Sequence, residues 1–268
     1  MYNNLNFFAG PKPRLVGHRG AAGVAPENTL AAFERALVDG AEIVELDVHA
    51  TKDGEVVIIH DETVDRTSDG RGAVKAMSLA EIQKLDAGYR FTGESGDHPF
   101  RGKGVTVPTL EALFTRIPAI KAIVEIKQAD PPIVKKVIET IRRAGKENDV
   151  LLATERDDIM RAIRRAVGTD LACATGFCRG EVAAFVEWLA RGAASGYRPL
   201  GSALQIPPAA EGVELVTRET LAAAHVLGLE IFVWTINEAA EMERLLALGV
   251  DGIITDYPAR LRALVGRR

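Results

Sequence analysis

Cysteine is almost missing. Cys173 and Cys178 are the only two in 268 residues, too few for a disulfide framework and without the paired spacing of a zinc site. They read as buried free thiols. No apolar run approaches the roughly 18 to 20 residues of a membrane span, which argues against integral membrane association. No dense Lys/Arg block occurs either, and a net charge of -4 with a pI near 5.8 argues against nucleic acid as a partner. Small anions can still bind locally. The opening MYNNLNFFAGPKPR has neither a basic start nor an apolar core of about 7 to 15 residues. It does not read as a signal peptide, and the expected location is cytoplasmic.

What is present is a hydrophobic fraction of 47%, enough for a large core, spread over short apolar runs that alternate with helical patterns. That alternation is the mark of beta-alpha units and a parallel sheet. Predicted strands run from Arg14 to His18, Ile43 to Val48, Ala122 to Lys127, Val150 to Thr154, Leu171 to Thr175, Ala203 to Ile206, Ile231 to Thr235 and Gly252 to Thr255. Predicted helices follow each: Thr29 to Val38, Thr109 to Arg116, Pro131 to Ala144, Arg156 to Ala166, Gly180 to Arg191, Thr217 to Leu227, Glu238 to Leu248 and Ala259 to Val265. Eight of each predict a TIM (β/α)8 barrel formed as one domain over residues 1–268, since barrels of about 250 residues routinely do so. In the first helix Leu30, Phe33 and Leu37 give an apolar stripe expected to cover the barrel. The rival is a doubly wound open sheet, but its G-x-G-x-x-G turn after the first strand is absent.

Two segments depart from the alternation. After the second strand, Asp53-Gly54 signals a two-residue hairpin turn, and Val56 to His60 runs back as an appendage, because a parallel neighbour needs a crossover of a dozen or more residues. A two-residue turn sets Lys52 opposite Glu55 and Asp47 opposite His60, unless a bulge shifts the register by one. Residues 61–107 are then too long for an ordinary connection. With the capping-box pattern Ser78-Leu79-Ala80-Glu81 and the side chains of Arg66, Tyr89, Phe91 and Arg101, they predict a small cap over the barrel mouth; the alternative is a disordered loop.

Active sites of such barrels lie at the carboxyl ends of the strands. His18 ends strand one, Glu45 and Asp47 lie two apart on one face of strand two, and Glu125 and Lys127 do the same on strand three. Singly these are ordinary: a histidine at a strand end is commonly a hydrogen-bonded residue, and Glu-x-Lys is commonly an ion pair. Together they pose a charge problem. Inward carboxylates cost several kcal/mol each to desolvate, and one arginine and one lysine do not offset three. A bound cation does. All-oxygen ligation favours one divalent Mg²⁺ or Ca²⁺ over zinc, and Arg19 with Lys127 suits a phosphate ester. His49 shares the parity of Glu45 and Asp47 and is expected to be solvated or to support the site from behind. His98 and His225 are expected on the surface. Trp234 lines the pocket or sits in the core.

The strings His18-Arg19-Gly20, Pro26-Glu27-Asn28-Thr29, Glu45-Leu46-Asp47-Val48, Lys52-Asp53-Gly54, His60-Asp61, Pro108-Thr109-Leu110, Glu125-Ile126-Lys127, Val233-Trp234-Thr235-Ile236-Asn237 and Thr255-Asp256-Tyr257-Pro258 together resemble the glycerophosphodiester phosphodiesterases, in order from residue 14 to about 260. The resemblance implies a TIM barrel with an insertion after strand two, and hydrolysis of a small-molecule glycerophosphodiester to sn-glycerol 3-phosphate and an alcohol. It implies that His18 and His60 are the catalytic pair, that Glu45, Asp47 and Glu125 hold the metal, and that Arg19 and Lys127 contact phosphate. Two other functions fit the same residues less well. A lysophospholipase D needs an apolar slot for a lipid tail, which a polar, glycine-rich cap does not suggest. A non-catalytic barrel binding phosphorylated ligands has no use for intact acids and both histidines. Head group and oligomeric state are open at this level.

Overall fold

In the computed structural model, which describes residues 5–170, 173–193 and 196–266, the eight barrel strands form as β1 (Arg14–Gly17), β2 (Ile43–Ala50), β3 (Lys121–Ile126), β4 (Val150–Ala153), β5 (Ala174–Thr175), β6 (Ala203–Ile206), β7 (Glu230–Val233) and β8 (Gly252–Thr255). Their neighbours run β5-β4-β3-β2-β1-β8-β7-β6, and every pairing along this path is parallel. The ring closes between β5 and β6 without a ladder. There Ser202 N donates to Thr175 O at 2.8 Å, and the backbones come so close that a Cβ on Gly201 would meet Gly176 O at 2.6 Å. Residues 171 and 172, at the start of the predicted fifth strand, lie outside the described residues.

The helices are α1 (Leu30–Val38), α2 (Leu110–Arg116), α3 (Val134–Arg143), α4 (Asp157–Asp170), α5 (Arg179–Ala190), α6 (Arg218–Val226), α7 (Ala239–Leu248) and α8 (Pro258–Val265). Three begin at a threonine whose hydroxyl accepts a first-turn amide: Thr29 from Ala32, Thr109 from Ala112 and Thr217 from Thr220. Such caps satisfy donors that the helix itself leaves free. The apolar face of α1 differs from the predicted stripe. Ala32, Phe33 and Ala36 are its buried residues, while Leu30 and Leu37 are only half-buried. The reason is the loop before it: a Cβ on Gly17 would stand 2.9 Å from Ala36 Cβ, and one on Gly20 2.7 Å from Ala32 Cβ. Only alanine fits against glycine at that distance, so the helix axis rotates its small residues inward.

The barrel interior is filled by Val16, Ile43, Ile123, Leu151, Ala153, Ala174, Ala203, Phe232 and Ile254, with Leu5 and Phe7 added from the N-terminal segment. Phe7 is fully buried, its amide bonded to Asn148 O at 2.8 Å. The segment before β1 therefore plugs the barrel, a role no periodicity announces.

The hairpin after β2 corrects the predicted register. Val48 pairs with Ile58, His49 with Val57 and Ala50 with Val56, and Ile59 N donates to Asp47 O at 2.9 Å. Ile59, not His60, stands opposite Asp47, and Glu55 stands opposite Thr51 instead of Lys52. The loop has three residues. Gly54 N donates to Thr51 O at 2.9 Å, Gly54 alone in the loop has positive φ (82°), and Thr51 N donates to Glu55 O. A tight turn followed by a left-handed glycine adds one residue and shifts every pair by one. Asp53 has a second duty: its carboxylate accepts from Leu79 N at 3.0 Å, tying the hairpin tip to the cap helix Leu79–Ile82, whose Ser78/Glu81 capping box forms as expected.

Residues 61–107 fold as a cap and not as a disordered loop. They bury a small core of their own, in which Val64, Val74, Ile82, Ala87 and Val107 pack against Val57 and Ile59 of the hairpin. Two glycine substitutions separate backbone strain from steric overlap. Gly54→Ala meets no atom within 4 Å but needs φ of +82°, a cost of about 1 kcal/mol. Gly20→Ala adds overlap with α1 to φ of +88°, and is expected to cost about 3 kcal/mol or more. Urea unfolding of the two variants against the parent checks the order.

Candidate active site

β2 and β3 set the acids. Their register pairs Asp47 with Glu125 across the ladder, and Glu45 sits two residues back on the face of Asp47. One carboxylate oxygen from each of Glu45, Asp47 and Glu125 falls within 4.8 Å of the others. Asp47 is 1% exposed in its side chain and is surrounded by donors. Asn28 Nδ2 donates to its Oδ2 at 2.9 Å, Arg19 Nε lies 3.3 Å from the same oxygen, and Lys127 Nζ lies 3.3 Å from Oδ1. Lys127 is also 2.9 Å from Glu125 Oε1, and Arg19 N donates to Glu45 Oε2 at 3.0 Å.

Arg19 and Asn28 are two of the few non-glycine residues with positive φ, 49° and 58°, and Asn28 N donates to Arg19 O. Left-handed backbone is strained for arginine, by about 1 to 3 kcal/mol, and such strain gathers at functional sites. Here both strained residues aim at the same carboxylate. The loop between β1 and α1 is shaped around Asp47.

The charge balance remains negative. Burial, with Asp47 nearby, pushes Glu45 up to about 8, and burial likewise holds Glu125 above the usual carboxylate range. Lys127 moves the other way from what burial alone would give. Its acidic neighbours outweigh desolvation and raise its pKa. Arg19 Nε is buried without a hydrogen-bond partner. Three convergent carboxylates, no thiolate or imidazole among them and too little positive charge around them, are a donor set that fits a hard cation.

Each of the two predicted histidines is held through Nδ1 by a carboxylate. His18 Nδ1 is 2.7 Å from Asp256 Oδ1, and Asp256 Oδ2 in turn accepts from Asn237 Nδ2 at 2.6 Å. His60 Nδ1 is 2.7 Å from Asp61 Oδ1. A carboxylate can only accept, so Nδ1 carries the hydrogen and Nε2 is left toward the cavity. Burial alone would lower the pKa of His18, but the bond to Asp256 and the nearby Glu45 outweigh it and raise it. His18 Nε2 stands 3.9 Å from Glu45 Oε2. His60 reaches the same cavity despite the shifted register, because the regular strand ends at Ile58 and the chain turns there.

His18, Arg19, Glu45, Asp47, His60, Glu125, Lys127 and Trp234 all line one cavity of about 220 Å³. Trp234 satisfies both expectations, since it also packs against the barrel interior. His49 is not solvated. It is 3% exposed and its Nε2 donates to His60 O at 3.1 Å, because the pleat that aims it with Asp47 leads under the folded cap. His98 and His225 are exposed as expected, and Cys173 and Cys178 are buried and free. Sequence reasoning gave no role to Asn28, Asp61, Asp256, Asn237 or Glu27, and placed Arg66 in the cap without a partner in the site. The signal for two of them was present: Asp61 follows His60 directly, and Asp256 follows the end of β8 at the active rim.

Residues 18–260 match the Glycerophosphoryl diester phosphodiesterase family. A glycerophosphodiester phosphodiesterase of Caldanaerobacter subterraneus subsp. tengcongensis is 36% identical over 259 residues, covering 95% of this chain and 98% of that protein. The crystal structure of a glycerophosphodiester phosphodiesterase from Agrobacterium tumefaciens superposes with a TM-score of 0.74 at 28% identity, covering 93% of this chain and 99% of that one. An Oleispira antarctica phosphodiesterase in complex with the product sn-glycerol-3-phosphate shares the fold, with a TM-score of 0.75 at 24% identity over 95% of this chain and 97% of that one.

The Asp256 contact makes a prediction independent of turnover. Its carboxylate stabilises the charged imidazolium, so Asp256→Asn removes a raising influence and the His18 titration moves to lower pH. Ring-proton NMR across the titration measures it, and an unmoved His18 would mean that the contact carries no charge coupling.

Proposed function

The chain belongs to the glycerophosphoryl diester phosphodiesterase family, and on that premise we propose that it hydrolyses glycerophosphodiesters to sn-glycerol 3-phosphate and an alcohol, with His18 and His60 as the general acid and base. The observation that carries this reading is the paired geometry: two imidazoles, each fixed through Nδ1 by a carboxylate, face one cavity that also holds a three-acid cluster, an arginine and a lysine.

Arg19 and Lys127 bind and orient the phosphoryl oxygens, the first with donors not consumed by Glu27, the second as a point charge. One histidine takes the proton of the attacking oxygen, whether of water or of the glycerol 2-hydroxyl. The other gives a proton to the alkoxide as its bond to phosphorus breaks. Glu45, Asp47 and Glu125 would hold one divalent cation, Mg²⁺ or Ca²⁺, which would supply Lewis-acid polarisation of the phosphoryl group and offset charge developing there. Trp234 walls the cavity beside the substrate. A volume of about 220 Å³ is below the roughly 300 to 1,000 Å³ of sites for drug-sized ligands, which supports a small polar diester over a lipid-tailed one. No helix among the described residues is long and apolar enough to cross a membrane.

His18→Ala and His60→Ala are each expected to lower kcat on glycerophosphocholine by about 10²- to 10⁴-fold while leaving the far-ultraviolet circular dichroism unchanged. A rate close to the parent's in either variant removes that histidine from the mechanism. Dialysis against a chelator is expected to lower turnover by more than about 10²-fold, restored by Mg²⁺ or Ca²⁺. Undiminished turnover in the dialysed enzyme would overturn the cation's role.

A further inference from the structure

One side chain from the cap touches the supports of two site residues at once. Arg66 places Nε 2.7 Å from Asp61 Oδ2 and Nη2 3.1 Å from Asp61 Oδ1. Its other side places Nη1 2.7 Å from Glu27 Oε2 and Nη2 2.8 Å from Glu27 Oε1. Asp61 is the carboxylate on His60 Nδ1, and Glu27 is the carboxylate that accepts from Arg19 Nη1 at 2.9 Å. We propose that Arg66 is a positioning residue that couples the cap to the reaction, orienting His60 through Asp61 and Arg19 through Glu27.

The chemistry requires an arginine. Five N–H donors in a rigid plane can fork onto two carboxylates on adjacent edges, and a lysine ammonium cannot. Arg66 is the first cause holding Asp61 down at about 2, so Asp61 stays an acceptor over the working pH range and fixes the His60 tautomer. His49 pins the same residue from the other side by donating to its carbonyl. The ring and the backbone of His60 are therefore held by different elements, and only the ring depends on the cap. His18 has no such dependence, because Asp256 and Asn237 both come from the barrel rim.

This inference rests on the catalytic reading of His60, and the test separates the two. Arg66→Ala and Arg66→Lys are compared with the parent for kcat and KM on glycerophosphocholine, for thermal unfolding, and for the tautomer of the His60 ring by ¹⁵N NMR. Loss of the guanidinium frees Asp61 to turn away from Nδ1, so the Nδ1–H tautomer of His60 loses its preference and the two ring-nitrogen shifts move toward each other. In Arg66→Ala, kcat falls by about 10- to 100-fold, as small misplacements of reacting groups do, while KM stays within about threefold. Arg66→Lys keeps the charge and the stem but stays about fivefold or more below the parent, and added guanidinium ion restores part of the Arg66→Ala rate. Unmoved His60 ring-nitrogen shifts in both variants, or a kcat unchanged in Arg66→Ala when the parent is active, overturn the inference. An inactive parent instead fails the proposed function, and the ring-nitrogen shifts, which need no turnover, still decide whether Arg66 governs His60.

Discussion

The structure turns on the cost of placing Glu45, Asp47 and Glu125 within 4.8 Å of one another at a half-closed barrel mouth. Burying like charges together is unfavourable by several kcal/mol each unless something neutralises them. Asp47, the most deeply buried, accepts from Asn28 and is ion-paired with Arg19 and Lys127. Glu45 and Glu125 remain above the usual carboxylate range even so. The protein has stopped short of satisfying its own acids. That deficit leaves a donor set of three convergent carboxylates that fits a hard cation.

The rest of the upper barrel follows from the same requirement. The β2–β3 register that sets Asp47 beside Glu125 is fixed by six consecutive pairs from Ile43 to Val48, with every β2 member and four of the six β3 members buried, so a slip would expose apolar side chains. The β1–α1 loop accepts positive φ at Arg19 and Asn28 to point both at Asp47, and it can do so because Gly17 and Gly20 let it lie flat on Ala32 and Ala36. The strain is local and the packing beneath it is tight. Flexibility here would let the donors drift from the one carboxylate that cannot reach water.

Much of this was written in the sequence at the level of pattern. Alternation gave the eight strands, and strand-end positions gave His18, Glu45, Asp47, Glu125 and Lys127, because those signals depend only on local periodicity and on where barrels keep their chemistry. The failures came where one residue of geometry decides the outcome. Asp53-Gly54 reads equally well as a two-residue turn or as part of a three-residue loop, and the second was realised, with Gly54 alone left-handed. His60 was placed correctly for a reason that does not hold, since it reaches the cavity by leaving the strand and not by facing Asp47. Phe7 plugs the barrel from outside any periodic element, and the Asp256–His18 and Arg66–Glu27 contacts join residues far apart in the chain, through loops that no spacing rule encodes.

The two histidines are alike in bonding and unlike in support. Each gives Nδ1 to a carboxylate at 2.7 Å, so each presents the same nitrogen to the cavity. His18 is 19% exposed and is braced by Asp256 and Asn237, both set by the β7 and β8 ends of the barrel. His60 is 32% exposed and is braced by Asp61, which the cap side chain Arg66 holds. The strands β1, β7 and β8 behind His18 are each paired on both sides, whereas the cap is joined through a hairpin and a small core of its own. Stability is not uniform across such a boundary, and segments with fewer buried contacts open first. The contacts that brace His60 thus include a cap side chain, and those that brace His18 do not. Of the two imidazoles that face the cavity, one is braced by the scaffold and the other by the insertion.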